Sequence, residues 1–322
     1  MRNLLLGVAL ALLLGRSAVA APNPPLDRLD VILDWFVNAN HEALLSAQYS
    51  GAYARHGLDV HFIAPTDPAS PPRLLAAHQA DLCIGYQVQL PLLVEGGLDL
   101  VRVGTLENTP LNTLIVAADG PIHTLADLKG KRIGASVGAA DEALLKGMLA
   151  SAGLKPGDVT VTDVNFQLEQ ALMTHRVDAI MGAMRNYELI DLEQRGFKAR
   201  AFFPEEHGVP LYDELIVLAR RDELNDPRIG RFMAALQEGT IALLNHPDEM
   251  WAAFVRDHPE LDTKLNRAAW TASLPRQDSD PALLDVARYR AFQDFMVKQG
   301  TLKAVLPVDR IAVQPSSAIT AP

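Results

Sequence analysis

Aromatic rings, uncharged amides and a few carboxylates recur in short polar stretches that each follow an apolar run: Trp35, Phe36, Asn38 and Asn40; Tyr86 and Gln87; Phe166; Tyr187 and Glu188; Tyr212 and Glu214. Paired rings hold a flat heterocycle by offset stacking, each good stack adding roughly 0.5–1.5 kcal/mol beyond the area buried. Carboxylates and amides suit the polar edge of such a ring. A Glu facing an amino-substituted ring accepts from the exocyclic NH₂ and can share a proton with a ring nitrogen. Arg185 is the one Lys or Arg in these stretches. A sulfonate or phosphate ligand calls for more positive charge, or for a Gly-rich helix start.

Each of these residues also has a plainer use. Trp35, Tyr86 and Tyr187 could serve core packing, and Asn38 or Asn40 could cap the helix that holds Glu42. Glu142 falls in a first helical turn, where the helix dipole alone accounts for it, and Glu188 has the same option. Ser136 and His41 lack the spacing of a nucleophile and its base, and no G-x-S-x-G occurs, so a hydrolase is set aside. His78 and His175 are read as surface connectors. With no HExxH, CxxC or His/Asp cluster elsewhere, no metal and no cofactor is expected.

The elements that position these loops are written twice. Leu75-Ala-Ala-His78-Gln-Ala-Asp81-Leu-Cys-Ile84-Gly85 recurs as Leu172-Met-Thr-His175-Arg-Val-Asp178-Ala-Ile-Met181-Gly182. Upstream, Glu42-Ala43-Leu44-Leu45 recurs as Glu142-Ala143-Leu144-Leu145 in the same order. Two lobes on one plan follow. Strand and helix signals alternate, which predicts βαβ units and mostly parallel sheets. The pattern predicts a helix from Glu42 to Arg55, another from Asp141 to Ala152, and a return strand over Leu215 to Ala219. A helical region follows from Asp226 to Gly300. Loops that follow strands then face a common cleft, where a ligand belongs.

Composition bounds the rest. The 322 residues are 49% hydrophobic and 21% charged, which is globular, and a net charge of −10 disfavours nucleic acid as a partner. Arg2, the apolar run Leu4 to Leu14 and Ala18-Val19-Ala20 read as a signal peptide over residues 1–20, cleaved after Ala20. An exported, soluble protein is expected. Its one cysteine, Cys83, lies in an apolar run and reads as a small buried hydrophobe.

Leu33-Asp-Trp35-Phe-Val-Asn38-Ala-Asn40-His41 resembles the L-D-W-x-x-N-x-x-H opening of the thiamine-pyrimidine-precursor-binding (ThiY-type) ABC transporter proteins. Gly85-Tyr86-Gln87, Pro110-Leu111-Asn112, the run Asp127 to Gly134, Asn186-Tyr187-Glu188-Leu189 and the run Gly208 to Leu215 match the same family in order. The resemblance implies an α/β type II periplasmic-binding-protein fold, with two βαβ lobes joined by two crossover strands around a central cleft. Lobe 1 would comprise 26–113 and 214–306, lobe 2 would comprise 114–213, and 307–322 would be a disordered tail. The crossovers would fall near Asn112 to Ala118 and Tyr212 to Ala219.

The implied ligand is a small aminopyrimidine such as formylaminopyrimidine or hydroxymethylpyrimidine. The implied partner is a membrane permease, and the implied setting is a periplasmic monomer without catalysis. By matching motifs, the ligand-binding residues are Trp35, Asn38, His41, Tyr86, Asn112, Tyr187, Glu188, Tyr212 and Glu214. Trp35 with Tyr187 or Tyr86 would stack the ring; Asn38, Glu188 and Glu214 would bind its edge. Departures from the family are Asp213 where a second Tyr is common, which would alter a cleft wall, Val37 for a common Pro, and a small loop at Gly138-Ala139-Ala140.

Two alternatives share the fold: a taurine, sulfonate or nitrate binder, and a hydroxymethylpyrimidine phosphate synthase. The synthases carry a C-C-C-F-C motif, which is absent here. A sensor subunit that reports to a membrane receptor is a third.

Overall fold

Long apolar runs with no polar alternation need cover on both faces, and helices supply it. In the computed structural model, which describes residues 25–315, ten strands form two five-stranded sheets. They are β1 Asp27–Ile32, β2 Leu58–Ile63, β3 Leu82–Tyr86, β4 Leu100–Glu107, β5 Asn112–Ala117, β6 Arg132–Ala135, β7 Thr160–Asp163, β8 Ala179–Met184, β9 Ala199–Phe202 and β10 Leu215–Arg220. The first sheet runs β2-β1-β3-β10-β4 and the second β7-β6-β8-β5-β9. In each, the first three strands are parallel and the fourth is antiparallel to its neighbours. β3, β4 and β10 are buried along their whole length, whereas the edge strand β7 is exposed at every residue.

The internal repeat is a repeat of geometry. His78 and His175 both have φ of 56°, and each follows a short helix, Pro71–Ala76 or Leu168–Met173. Both side chains face solvent. Asp81 Oδ2 accepts the backbone N–H of Asp30 at 2.8 Å, and Asp178 Oδ2 accepts that of Arg132 at 2.8 Å. Each repeated Asp thus ties the start of the third parallel strand to the first.

The chain crosses between sheets twice, at residues 108–111 and 203–214. Both crossings begin earlier than expected, the first being shorter and the second longer. Asn112–Ala117 is wholly a strand of the second sheet, paired on both sides, and Leu215–Arg220 lies wholly in the first. Glu214 ties the crossings together, its Oε2 accepting the N–H groups of Leu111 at 2.6 Å and Asn112 at 2.8 Å. Arg185 adds an ion pair with Glu205 at 2.6 Å and sits 4.2 Å over the Phe203 ring.

Two local expectations are corrected. The helix expected over Glu42 to Arg55 is two helices, Glu42–Tyr49 and Ala52–Arg55, because Gly51 takes φ of 75° and breaks the first. The tail expected to be disordered from 307 is ordered through 315. Val308–Ile311 is a helical turn, Ile311 and Ala312 are buried, and Ala312 bridges to Arg102. The fully buried Arg102 donates to the carbonyls of Pro281, Ala282 and Val313. Averaging composition over the whole tail hid the apolar pair that packs. Residues 316–322 and the expected signal peptide lie outside the described residues.

Candidate functional site

The loops after β1, β3, β6 and β8 meet between the sheets, and two small connected recesses lie there. The outer one, about 20 Å³, is lined by Asp34, Trp35, Asn38, Asn40, Tyr86, Tyr187 and Glu188, with Leu168 and Met184 among its apolar walls. The inner one, about 10 Å³, is lined by Asn112, Asp141 and Glu214 with Val88, Ala140 and Leu144. Tyr86, Val137 and Gly182 belong to both. Such volumes hold about one or two water-sized groups, so a ring enters only when the sheets part.

Trp35 leaves β1 through the buried Asp34, which is bonded on both oxygens. Tyr86 Oη donates to Oδ2 at 2.8 Å, and His41 Nε2 meets Oδ1 at 2.9 Å. The Asn38 N–H donates to His41 Nδ1 at 3.3 Å, so the ring proton belongs on Nε2, where it donates to Asp34. Asn38 caps the short 3₁₀ turn Ala39–His41: its Oδ1 accepts from the Asn40 N–H at 2.8 Å and its Nδ2 donates to Phe36 O at 2.8 Å. These four side chains fix the backbone on both sides of Trp35, whose ring lines the outer recess.

Contacts across the cleft come from both sheets. Trp35 meets Phe166 at 4.6 Å and 79°, and Phe36 meets the same ring at 4.4 Å. Asn40 Oδ1 accepts from Asn186 Nδ2 at 2.6 Å, and Asn186 Nδ2 also reaches Ser273 Oγ at 2.7 Å. Glu188 begins the helix Glu188–Gln194 and is buried. Its Oε2 accepts the Met184 N–H at 2.7 Å, and burial, reinforced by nearby Glu169, pushes its pKa up to about 8. Half-buried Tyr187 lies beside it.

The inner recess is acidic. Asp141, in the first turn of the helix Ala139–Ser151, accepts the N–H groups of Ser136 and Val137 on Oδ2. Its Oδ1 is buried without a hydrogen-bond partner within 3.5 Å, and burial raises its pKa to about 6 against the pull of the Val137 and Ser136 N–H groups and of the nearby Asn112 side chain. Glu214 is raised to about 7 by burial, against the pull of the Asn112 and Leu111 N–H groups. Asn112 Oδ1 accepts the Gly182 N–H at 3.1 Å. Among the described residues no group of His, Cys, Asp and Glu is arranged to hold a metal ion.

Of the residues singled out from sequence, Trp35, Asn38, Tyr86, Tyr187 and Glu188 come together on the outer recess, and Asn112 and Glu214 on the inner. His41 and Tyr212 do not line either. His41 is fully buried with both ring nitrogens bonded inside the protein, and Tyr212 is buried against Phe292 at 5.3 Å. Both hold supporting places behind the recesses in this structure. Asp213 is corrected as well: it pairs with Arg288 and accepts from Thr105 Oγ1, away from the cleft. Sequence reasoning missed Asp34, Asp141 and Gly182. Asp34 sits inside the quoted opening motif, and Gly182 ends the second copy of the repeat. A larger groove, about 520 Å³, lies between Leu92, the helix Ala139–Ser151 and Gly300, and takes from that helix residues other than those on the inner recess. Its walls are mostly apolar, with Glu142, Lys146 and Thr301 as the polar side chains.

A family described as NMT1/THI5 like matches residues 38–250. A Haemophilus influenzae protein named for thiamine biosynthesis is 42% identical over 91% of this chain and 94% of its own. The formylaminopyrimidine-binding protein of Halalkalibacterium halodurans is 30% identical over 78% of this chain and 76% of its own. A 4-amino-5-hydroxymethyl-2-methylpyrimidine phosphate synthase of Uromyces fabae is 26% identical over 81% of this chain and 80% of its own. Among solved structures, the alkanesulfonate-binding protein SsuA of Xanthomonas axonopodis pv. citri superposes with a TM-score of 0.71 at 19% identity, over 90% of this chain and all of that one. The two-sheet architecture is therefore the periplasmic-binding-protein fold, and the chain belongs to the NMT1/THI5-like family.

Proposed function

We propose that this chain is the periplasmic solute-binding component of an ABC importer, that it captures a small aminopyrimidine, and that it hands this ligand to a membrane permease without chemistry of its own. The observation that carries the reading is the outer recess, where the rings of Trp35, Tyr86 and Tyr187 converge on one buried carboxyl, Glu188. At neutral pH that carboxyl carries its proton, since its pKa lies at about 8. It can donate to an unprotonated ring nitrogen while Oε2 stays on the Met184 N–H. The name of the Halalkalibacterium halodurans relative supports the same ligand class.

The sulfonate reading has the fold in its favour but not the charge. Neither recess has a Lys or Arg in its lining, and Arg185 is committed to Glu205 and to the carbonyls of Leu111 and Asn112. A synthase reading has named relatives. Against it, the single cysteine, Cys83, is buried in β3 with its thiol pKa raised by burial, and offers no cluster for chemistry.

The mechanism is a clamp. Trp35, Asn38 and Tyr86 come with the first sheet, Tyr187 and Glu188 with the second. A ligand that touches both sets gains its full contacts only in the closed form and so shifts the population toward it. The Asn40–Asn186 bond and the Trp35–Phe166 contact close the same gap. The protein is expected to work as a monomer. The test is a thermal-shift screen of the chain cleaved after Ala20 against formylaminopyrimidine, hydroxymethylpyrimidine, thiamine, taurine and nitrate. Ligand at about 100 times its Kd stabilises by roughly 2.7 kcal/mol, a shift of several degrees. A shift with pyrimidines alone supports the reading. A shift only with taurine or nitrate overturns it.

A further inference from the structure

We propose that Asp141 and Glu214 form an acceptor pair at the floor of the cleft, which selects pyrimidines whose exocyclic arm ends in a hydrogen-bond donor, a primary amine above all. The inference rests on the aminopyrimidine reading of the outer recess and extends it inward. Asp141 spends one oxygen on the Ser136 and Val137 N–H groups, while Oδ1 is buried and unpartnered on the recess wall. A buried carboxylate oxygen left without a donor is costly, and a ligand that supplies one recovers that cost.

Glu214 lines the same recess. Its Oε2 is taken by Leu111 and Asn112, which leaves Oε1 as the available atom. Gly182 lines both recesses and leaves no side chain against Asp141. A Cβ built there would lie 2.7 Å from Asp141 Oδ1. No Lys or Arg lines the recess to neutralise the pair, so a cationic ammonium gains charge-assisted bonds to both carboxylates that a hydroxyl gains only in weaker form. A methyl arm gains none.

The experiment is calorimetric titration of the cleaved chain with three 4-amino-2-methylpyrimidines that differ only at the 5-position: aminomethyl, hydroxymethyl and methyl. The wild type should bind the aminomethyl compound at least about tenfold tighter than the methyl one, with the hydroxymethyl compound between. Asp141→Asn keeps an oxygen for the Ser136 and Val137 N–H groups but turns a donor into the recess. It should bring the ratio close to one. Glu214→Gln repeats the test if Asp141→Asn fails to unfold cooperatively. A wild type that binds the methyl compound as tightly as the aminomethyl one overturns the inference and leaves the pyrimidine reading standing, as does an unchanged ratio in both variants. Failure of all three compounds to bind folded wild type sinks both.

Discussion

Glu188→Gln isolates the energetic consequence of burying a carboxyl at the ligand's edge. In the folded protein the Glu188 pKa stands at about 8, against an ordinary 4.5, and burial is the larger cause. Below the ordinary value both folded and unfolded chains hold the proton, and nothing is lost. As pH rises the unfolded chain releases its proton while the folded one retains it, so stability falls continuously until pH passes the folded value and then levels off. At about 1.36 kcal/mol per unit, the loss is roughly 2–3 kcal/mol between about pH 5 and pH 7, with about 1 kcal/mol more by pH 9. Gln cannot ionise, yet its amide oxygen can still accept the Met184 N–H. The assay is urea unfolding of wild type and variant over that pH range, read as the difference in unfolding free energy, which cancels the other titrating groups to first order. The variant should gain on the wild type steadily with pH. Two parallel stability profiles would refute the reasoning and place Glu188 in contact with water or an uncounted cation.

Three further perturbations follow from the same geometry. Trp35→Ala removes a wall of the outer recess and should weaken binding of a pyrimidine by roughly 2–4 kcal/mol in calorimetry; a fall in Tm with unchanged affinity would assign the ring to packing. Asn40→Ala deletes the bond to Asn186 across the gap and leaves a buried amide short of a partner. It should cost the closed form about 1–3 kcal/mol, read as a larger radius of gyration in small-angle scattering. Gly182→Ala places a Cβ 2.7 Å from Asp141 Oδ1 at a residue whose φ is 97°. A loss of about 1–3 kcal/mol of stability is expected, with the Asp141→Ala background giving partial relief because the facing oxygens are gone.

Topology was legible because burial writes itself into long runs. Leu82-Cys83-Ile84 and Leu215 to Ala219 are apolar without interruption, and only strands covered on both faces call for that. The repeat carried still more: His78 and His175 share a left-handed φ and their following aspartates share a backbone acceptor role, so one spacing encoded the same turn twice. Where the reading failed, a local average hid a local exception. Gly51 broke a helix whose flanking residues favour one, and Ile311 with Ala312 anchored a segment whose neighbours are prolines and serines.

The site was legible by place but not by direction, and the reason is chemical. The polar residues of the opening loop, Asp34, Asn38 and His41, are the types that would read a heterocycle's edge, and they are equally the types that hold a loop still. Asn38 satisfies the Asn40 N–H and the Phe36 carbonyl, and His41 Nε2–H donates to an Asp34 already bonded to Tyr86. Every one of those bonds lies within the first lobe's loops, so the spacing that looked like a ligand signature fixes the backbone that presents Trp35. Asp141 shows the converse. At the third position of a helix it reads as a cap, and one of its oxygens is one. A carboxylate has two oxygens, however, and nothing in a helical spacing says where the second points. Only the packing shows that the second oxygen is buried beside Gly182 and spends no hydrogen bond. For a closing clamp, then, the residues that bond to each other across a loop set the shape of the site. The unspent atom is the better guide to what the site receives.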